Sequence, residues 1–570
     1  MRDAALSPET RAEAIARMSE AKELDILVIG GGVVGAGVAL DAVTRGLSTA
    51  IVEANDWASG TSSRSSKLIH GGLRYLEMLD FGLVREALRE RGLLLQRIAP
   101  HLIRPVPFLY PLQHRLWERP YVGAGMLLYD TMGVSSGAAR GLPRHRHLSR
   151  QAVLRAAPAL KKSALIGGIQ YWDAQVDDAR HTMMLVRTAA SFGALAANRL
   201  RAIGFERQGK QVTGARLVDM DTGEECFVRA KQVINATGVW TNDTQQMAGM
   251  RGQVHVRASK GIHLVVPRDR LQSSTGLILR TEKSVLFVIP WGRHWIIGTT
   301  DTDWSLGNAH PAASSRDIDY LLDHTNAVLS TPLSREDVEG VYAGLRPLVS
   351  GDSDSTAELS RQHVVSNPVP GLVVVTGGKY TTYRLMAADA VDEATRSFAM
   401  RVPPSCTDTI PLLGADGYQA LWNQRRDLAA SAGLHVARIE HLLHRYGSLT
   451  GELLSLVGED RSLASPLPGA EHYLAVEVLY AATHEGARHL EDVLARRTRI
   501  FIESRDQGIE AAPVAASVIA GPLGWDKGRQ AEEIEHYHAR VRAERLSQDQ
   551  PDDATADAAL LTANGYVPAV

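Results

Sequence analysis

Short apolar runs alternate with helical periodicity at the start of the chain. Residues 24–30 (LDILVIG) form a continuous apolar run that ends in glycine, which is typical of a strand buried on both faces of a parallel sheet. A helix is predicted over residues 33–45, and residues 48–53 (STAIVE) form the next apolar strand. This order predicts a strand–helix–strand unit at the start of an α/β domain.

The middle and the end of the chain follow other patterns. The runs VLFVIPW (285–291) and WIIGTTD (295–301) flank Gly292 and Arg293, which predicts a hairpin in an antiparallel sheet. The run LVVVTGG (372–378) predicts another buried strand that ends in glycines, followed by a helix. Beyond about residue 405 helical periodicity dominates, and one apolar stripe that ends at Gly447 consists of Val436, Ile439, Leu442, Leu443 and Tyr446.

The length of 570 residues requires more than one domain, because a single core stops growing at roughly 250 to 300 residues. The first α/β pattern resumes near residue 372, so the first domain is expected to be discontinuous. The predicted segments are an N-terminal extension (1–22), a first domain (23–100, 170–250 and 340–404), a substrate-binding or cap domain (101–169 and 251–339), a helical domain (405–546) and a disordered polar tail (547–570).

Composition excludes several classes of protein. The net charge of −2 provides no overall field that would attract nucleic acid, so no nucleic-acid partner is expected. The two cysteines, Cys226 and Cys406, are too few for a cysteine-based metal cluster or a disulfide framework, and we expect no metal. The N-terminus lacks the apolar core of a secretory signal, and no apolar stretch approaches the roughly 18 residues of a spanning helix. We therefore expect a cytoplasmic protein that meets a membrane only at its surface.

The first strand–helix junction carries a glycine motif for binding a dinucleotide. Gly30, Gly32 and Gly35 form G-x-G-x-x-G, in which glycines allow a tight turn and a close approach to a pyrophosphate at the helix N-terminus. Glu53 ends the second strand, where an acidic side chain binds ribose hydroxyls and would repel a 2'-phosphate. The alternative, a turn rich in glycine without a ligand, is weakened because strand, helix and acid occur together.

Two later strand ends favour FAD over NAD as the dinucleotide. The run VINATG (233–238) ends in Ala236 and Gly238, and GGK (377–379) places Gly378 after another buried strand. Both resemble the second and third dinucleotide-contacting strands of glutathione-reductase-like flavoproteins. Glycines also end strands in many α/β proteins without such a role, so neither run is decisive alone.

Longer motifs resemble one family of flavoproteins. The segment TSSRSSKLIHGGLRYLE (61–77), with the glycine motif, VINATG, SKGIH (259–263), GLRPL (344–348) and GGKYTTYR (377–384), resembles the FAD-dependent glycerol-3-phosphate dehydrogenases over roughly residues 24 to 400. The region that includes HEGARHLEDVLARRTR (484–499) resembles their C-terminal domain. The resemblance implies an α/β fold: a glutathione-reductase-like Rossmann FAD domain, an antiparallel-sheet substrate domain and a C-terminal helical domain.

The implied reaction is the oxidation of sn-glycerol 3-phosphate to dihydroxyacetone phosphate by hydride transfer from C2 to FAD, with electrons passed to a quinone. Peripheral contact with the inner face of the cell membrane and a homodimer are further expectations. An oxidase that uses oxygen remains an alternative, as does a binding protein in which FAD is structural. An amino-acid oxidase is disfavoured, because it would not need LIHGGLRY (68–75).

The resemblance also implies roles for individual residues. His263 is the candidate general base, and Arg346 is the second candidate catalytic residue. Alternatively, His263 is a hydrogen-bonded histidine with a structural role only. Arginine suits the substrate phosphate, because its planar fork binds two oxygens at once. The expected substrate-binding residues are Arg74, Tyr75, Arg361 and Lys379, and the residues expected against FAD, besides the strand-end residues above, are Ser62, Ser66, Lys67, Leu68 and Thr381.

Residues 101–150 suit a membrane surface. They contain seven arginines against Glu118 and Asp130. Basic residues beside amphipathic aromatics are typical of an interfacial surface, and the alternative is a basic loop over an ordinary core segment. The apolar residues interleaved with these arginines are Trp117, Tyr121, Met126, Leu127, Leu128 and Tyr129.

Overall fold

The computed structural model describes residues 4–72, 80–114, 117–135, 142–249, 254–281, 285–307, 310–349 and 362–562. Its strands are β1 Leu24–Ile29, β2 Thr49–Val52, β3 Leu68–Ile69, β4 Ile103–Leu112, β5 Arg146–Ser149, β6 Gly167–Val176, β7 Leu195–Ala197, β8 Leu200–Gln208, β9 Gln211–Asp219, β10 Glu225–Asn235, β11 Val256–Pro267, β12 Gly276–Arg280, β13 Val285–Trp291, β14 His294–Gly298, β15 Thr302–Trp304, β16 Gly340–Val349, β17 His363–Val369, β18 Leu372–Gly377, β19 Pro466–Leu467 and β20 Ala470–Leu474.

The α-helices of the described residues are α1 Pro8–Glu20, α2 Val33–Thr44, α3 Phe81–Leu93, α4 Glu118–Ser135, α5 Arg150–Ala156, α6 Asp178–Ser191, α7 Thr241–Met247, α8 Ser315–Asn326, α9 Tyr383–Thr395, α10 Tyr418–Asn423, α11 Arg425–Ala432, α12 Val436–Tyr446, α13 Thr450–Glu459, α14 Ala475–His484, α15 Ile500–Glu503, α16 Ala512–Leu523, α17 Lys527–Gln548 and α18 Asp553–Thr562. Among these helices, none has both the length and the apolar character that crossing a membrane requires.

The first sheet has the strand order β17-β18-β10-β1-β2-β7. Strand β1 pairs in parallel with β10 on one side and β2 on the other, and β18 continues the parallel arrangement beyond β10. Helix α2 connects β1 to β2 and packs together with α6 and α9 against the sheet. The buried apolar runs of the sequence therefore form the predicted α/β domain, and they place the carboxyl ends of three strands side by side.

The second sheet has ten strands and is largely antiparallel. Strands β13 and β14 form the predicted hairpin, with Trp291 opposite His294. The long antiparallel pair β11–β16 runs from Val256 opposite Val349 to Val265 opposite Gly340. This register sets His263 opposite Tyr342, two residues that are 79 positions apart in the sequence.

The C-terminal helices contact the first domain through buried ion pairs. Arg497 pairs with Asp56 at 2.6 Å, and Arg180 of α6 pairs with Glu485 at 2.7 Å. The predicted stripe of α12 is buried at Ile439 and its neighbours, and the helix ends at Gly447, which adopts a positive φ of 58°. These observations confirm the predicted fold class, in which a helical domain follows the two sheets.

Both ends of the described chain carry a helix that packs on the rest of the molecule. Helix α1 of the N-terminal extension packs on the first domain, where Arg11 pairs with Asp219 at 2.9 Å. We predicted disorder from residue 547 onward, but α18 packs against the substrate domain and α17. Asp553 pairs with the buried Lys260, and Leu560 is buried. The prediction missed this because the contact consists of one leucine and several alanines, so the segment lacks the repeated large apolar residues that indicate a packed helix in the sequence.

Candidate active site

A cavity of about 900 Å³ opens at the carboxyl ends of β1, β10 and β18. Gly30, Ala236 and Gly378, one from each strand end, line it together. Ligands of parallel α/β sheets bind at this edge, outside the carboxyl ends of the strands. The three glycine-bearing runs that the sequence predicted to contact a dinucleotide therefore meet in one place.

The glycine turn is shaped for close approach. Gly30 has a φ of 114°, and a Cβ atom there would lie 2.7 Å from the Ala236 carbonyl oxygen. Gly35 does not line the cavity; a Cβ atom there would lie 1.9 Å from the Gly30 carbonyl oxygen, so glycine lets α2 pack directly on the turn. Gly32 is the N-cap residue of α2 and lines the cavity. The helix N-terminus therefore faces the space where a pyrophosphate would bind.

Glu53 lies beside this turn and lines the cavity. Its Oε2 accepts a hydrogen bond from the Gly31 amide at 2.7 Å, and its Oε1 accepts one from the Asn55 amide at 2.8 Å. Burial raises the pKa of Glu53 against the lowering effect of these two amides. The carboxyl is thus fixed at the position expected for a ribose partner, and the turn, the acid and the cavity volume together fit a dinucleotide cofactor.

His263 of β11 lines the cavity farther along and is buried. Its Nε2 is hydrogen-bonded to Ser66 Oγ at 2.8 Å, and its ring stacks on Tyr342 with centroids 4.7 Å apart. Burial, and then the positive charges of Arg346 and Lys67, hold the pKa of His263 well below its ordinary value of 6.5. The imidazole is therefore neutral near pH 7, as a proton acceptor must be.

Two predicted cations, Arg346 and Lys379, also line the cavity. The Arg346 guanidinium donates to Thr299 Oγ1 and to the Thr300 carbonyl, each at 3.1 Å, and it lies 3.4 Å from Asp301 Oδ1. These contacts fix the orientation of its planar fork. Lys379 follows β18 after Gly378 and brings a second positive charge to the same cavity.

The residues predicted to contact FAD divide into two groups. Ser62, which also accepts a hydrogen bond from the Val33 amide at 2.9 Å, is at the cavity wall, as is Gly238. Ser66, Leu68 and Thr381 line it too. Lys67 does not line the cavity in the described part of the chain: its side chain is buried in an ion pair with Asp178 at 2.8 Å. Its side chain therefore lies behind the cavity wall, away from the space where FAD would bind.

Three predicted substrate-binding residues, Arg74, Tyr75 and Arg361, lie outside the described residues. The chain leading into the first two is fixed at Gly71, whose amide donates to Tyr129 Oη at 2.9 Å. Tyr129 in turn donates to Asp173 at 2.8 Å.

The structure adds residues that the sequence did not single out. His70 and Arg64 line the cavity, and the His70 amide donates to Thr381 Oγ1 at 3.2 Å. Both lie within residues 61–77, so the motif contained the signal although the residue types alone did not reveal it. Asp178 and Tyr342 belong to none of the motifs; the strand register and the packing of α6 bring them to the site.

Comparisons with known proteins agree with this geometry. Residues 25–390 match the family described as FAD dependent oxidoreductase, and residues 405–530 match the C-terminal domain of alpha-glycerophosphate oxidase. The fold and its glycine-lined cavity thus define an FAD-dependent oxidoreductase.

Individual relatives are more specific. The chain is 56% identical to glycerol-3-phosphate dehydrogenase 2 of Mycobacterium tuberculosis, over 97% of this chain and 94% of the relative. It is 38% identical to the mitochondrial glycerol-3-phosphate dehydrogenase of Bos taurus, over 93% and 74%. The solved glycerol-3-phosphate dehydrogenase from Bacillus halodurans complexed with FAD superimposes with a TM-score of 0.77 at 28% identity, over 94% of this chain and 98% of that one. The chain belongs to the FAD-dependent glycerol-3-phosphate dehydrogenases, which confirms the family and the cofactor predicted from the sequence.

Proposed function

We propose that this cavity binds FAD and oxidises sn-glycerol 3-phosphate to dihydroxyacetone phosphate. The observation that carries the proposal is that one cavity is lined by the glycine turn with Glu53, by the pair His263–Ser66, and by the cations Arg346 and Lys379. The turn and the acid suit a dinucleotide. The neutral imidazole and the two cations suit an anionic alcohol.

His263 takes the proton of the C2 hydroxyl in this proposal. A substrate hydroxyl that donates to Nε2 takes over the hydrogen bond that Ser66 makes in the structure. The stack on Tyr342 keeps the ring plane fixed, and burial keeps the ring neutral before the reaction. Bound FAD supplies the acceptor for the hydride that leaves C2.

Cations hold the phosphate. Lys379 and Arg346 line the cavity, and Arg74 follows the fixed turn at Gly71 in the sequence. Arg346 is oriented by Thr299 and thus carries a preorganised charge, which makes it suitable for the oxygen on C2 as negative charge develops. Lys379 and Arg74 are then the phosphate ligands.

Anaerobic titration of the FAD-containing protein with glycerol 3-phosphate tests this function. We expect stoichiometric bleaching of the flavin absorbance with release of dihydroxyacetone phosphate, and far weaker bleaching by glycerol, which lacks the phosphate. Flavin that stays oxidised with glycerol 3-phosphate but is bleached by dithionite would show that FAD is structural or that another substrate is used.

The same proposal includes a quinone acceptor and a membrane surface. Helix α4 turns Tyr129 and Met126 inward, while its outer side presents Tyr121 at 53% and Leu127 at 58% exposure, with Trp117 just before its first residue at 50%. Strand β5 lies beside it, with His147 against Gly123, and carries the exposed Arg146. An apolar helix face beside basic residues suits the headgroup region of an anionic bilayer.

Two charged residues of the segment 101–150, Arg104 and Glu118, do not belong to this surface. Arg104 was counted among its arginines, but its guanidinium donates to the His444 carbonyl of the helical domain at 3.4 Å. Glu118 also faces inward, where it accepts hydrogen bonds from the Gln113 and His114 amides. The proposed surface therefore rests on α4 and β5 and not on the whole segment 101–150.

Cosedimentation with anionic liposomes tests the membrane surface. Leu127→Asp should weaken binding by about tenfold or more, since burial of a leucine side chain is worth about 1.5 to 3 kcal/mol. The control is Phe192→Asp, which changes an exposed aromatic residue of the first domain. Equal liposome binding by the unmodified protein and the two variants would contradict the membrane surface. Electron transfer to oxygen as fast as to a quinone would contradict the quinone acceptor. The homodimer stays a prediction that light scattering can test.

A further inference from the structure

One arginine of the helical domain reaches the back of the active-site wall. Arg499 is 2% exposed and precedes α15. Its side chain bonds mainly to the first domain: its Nη2 donates to Asp178 and, at 2.5 Å, to Asp177, and its Nη1 donates to the Ser63 carbonyl at 3.3 Å. These three residues of the first domain lie more than 300 positions away in the sequence.

Asp178 bonds to Arg499 and also to the segment 62–68, which lies at the cavity wall. One carboxylate oxygen accepts from the Ser65 amide at 2.9 Å and from Ser65 Oγ at 2.7 Å. The other oxygen, shared with Arg499, accepts from Lys67 Nζ at 2.8 Å. Both neighbours of Ser66 in the chain are therefore fixed from behind by the same carboxylate.

Ser66 is the residue that contacts the proposed base, with Oγ 2.8 Å from His263 Nε2. Lys67 adopts a positive φ of 56°, a conformation that residues other than glycine take only when their surroundings hold them. Tyr342, on which His263 stacks, donates to the Ser65 carbonyl at 3.0 Å, and Lys67 Nζ lies 4.9 Å from its ring centroid. The position of the base thus depends on how this segment is held.

Charge balance explains why an arginine is needed. Asp177 and Asp178 are adjacent carboxylates with side chains that are 12% and 0% exposed, and Lys67 supplies one positive charge directly against Asp178. Burial opposes ionisation of Asp177, yet Arg499 and then Arg445 hold its pKa well below the ordinary range. Without the Arg499 guanidinium, the two carboxylates lose the cation that they share, and Asp178 is no longer held between Arg499 on one side and Ser65 and Lys67 on the other.

We propose that Arg499 is a positioning residue, through which the helical domain fixes the segment 62–68 and the contact between Ser66 and His263. This inference rests on the proposed role of His263 for its effect on the rate. Its structural half, the fixing of residues 62–68, is independent of that role.

The test compares Arg499→Met and Arg499→Lys with Arg497→Met in the FAD-containing full chain. Arg497 is an equally buried arginine of the same region, but it pairs with Asp56, which does not line the cavity. We expect Arg499→Met to lower the rate of flavin reduction by glycerol 3-phosphate about 10- to 100-fold per bound FAD, with KM changed less than about threefold. Arg499→Lys should restore part of the rate, because the ammonium replaces the charge but not the fork.

Hydrogen–deuterium exchange provides a readout other than activity. Peptides that cover residues 62–68 should exchange faster in Arg499→Met but not in Arg497→Met. Should Arg499→Met fail to fold, Ser65→Ala removes one bond to Asp178 and should show the same two effects at a smaller size. Unchanged exchange, or faster exchange with an unchanged rate per bound FAD, would overturn the positioning role. Flavin that glycerol 3-phosphate does not reduce even in the unmodified protein would instead contradict the proposed function.

Discussion

Replacement of His263 by asparagine removes the proposed base while leaving a polar side chain in its place. General base catalysis contributes about 10²- to 10⁴-fold to a rate, equivalent to about 2.7 to 5.4 kcal/mol. The hydrogen bond between His263 and Ser66 is by itself worth about 1 kcal/mol, or less than tenfold. A fall of 100-fold or more in flavin reduction therefore distinguishes lost proton transfer from a lost contact.

Anaerobic stopped-flow measurement of flavin reduction by glycerol 3-phosphate provides the assay, with Ser66→Ala as the matched control. We expect His263→Asn to lower the limiting rate by at least 100-fold and Ser66→Ala by no more than about tenfold. If the two variants lose the same amount, or if His263→Asn reduces its flavin at the original rate, His263 is not the base.

The pH profile supplies a second check on His263. The base works only when unprotonated, and its pKa lies well below 6.5 because the ring is buried near Arg346 and Lys67. The rate should consequently stay level as the pH falls through 6.5, and any loss from protonation of this ring should come only at lower pH. An acidic limb with its midpoint near 6.5 that disappears in His263→Asn would refute the argument from burial.

Three further predictions concern the cofactor, the pH dependence of stability and the C-terminal helix. Gly35→Ala should abolish retention of FAD on gel filtration, because the added Cβ would lie 1.9 Å from the Gly30 carbonyl oxygen. The control Gly125→Ala should retain FAD, because no atom lies within 4 Å of its added Cβ. Burial lowers the pKa of His101 to about 3, so between pH 6 and 4 the unfolded chain binds a proton at this residue that the folded chain does not. In urea unfolding, the free energy should therefore fall with pH by about 1.4 kcal/mol per pH unit more in the unmodified protein than in His101→Phe, and equal slopes would contradict this. Leu560→Ala should lower the free energy of unfolding by about 2 to 5 kcal/mol, and Leu561→Ala, at an exposed position, by less than about 0.5 kcal/mol. Equally small effects of both changes would support the original prediction of a disordered tail.

Local patterns in the sequence were sufficient for the first domain. A parallel strand buried on both faces is continuously apolar, and a turn that approaches a pyrophosphate closely needs glycine, so residues 24–35 predict both the strand and a dinucleotide site. The hairpin around Gly292 was likewise predictable, because alternating runs and a turn lie next to each other. The roles of His263 and Lys379, however, came from motif resemblance and not from any local physical pattern.

What required the tertiary structure is contact between distant segments. Lys67 stands in a motif that lines the cavity, yet its side chain turns to Asp178, because burial of an ammonium requires a carboxylate that the packing of α6 provides. Tyr342 reaches His263 through the register of β11 and β16, and Arg499 reaches Asp178 from another domain. Periodicity reports which face of an element is buried but not what it is buried against, so the residues behind the active-site wall could be found only in the folded chain.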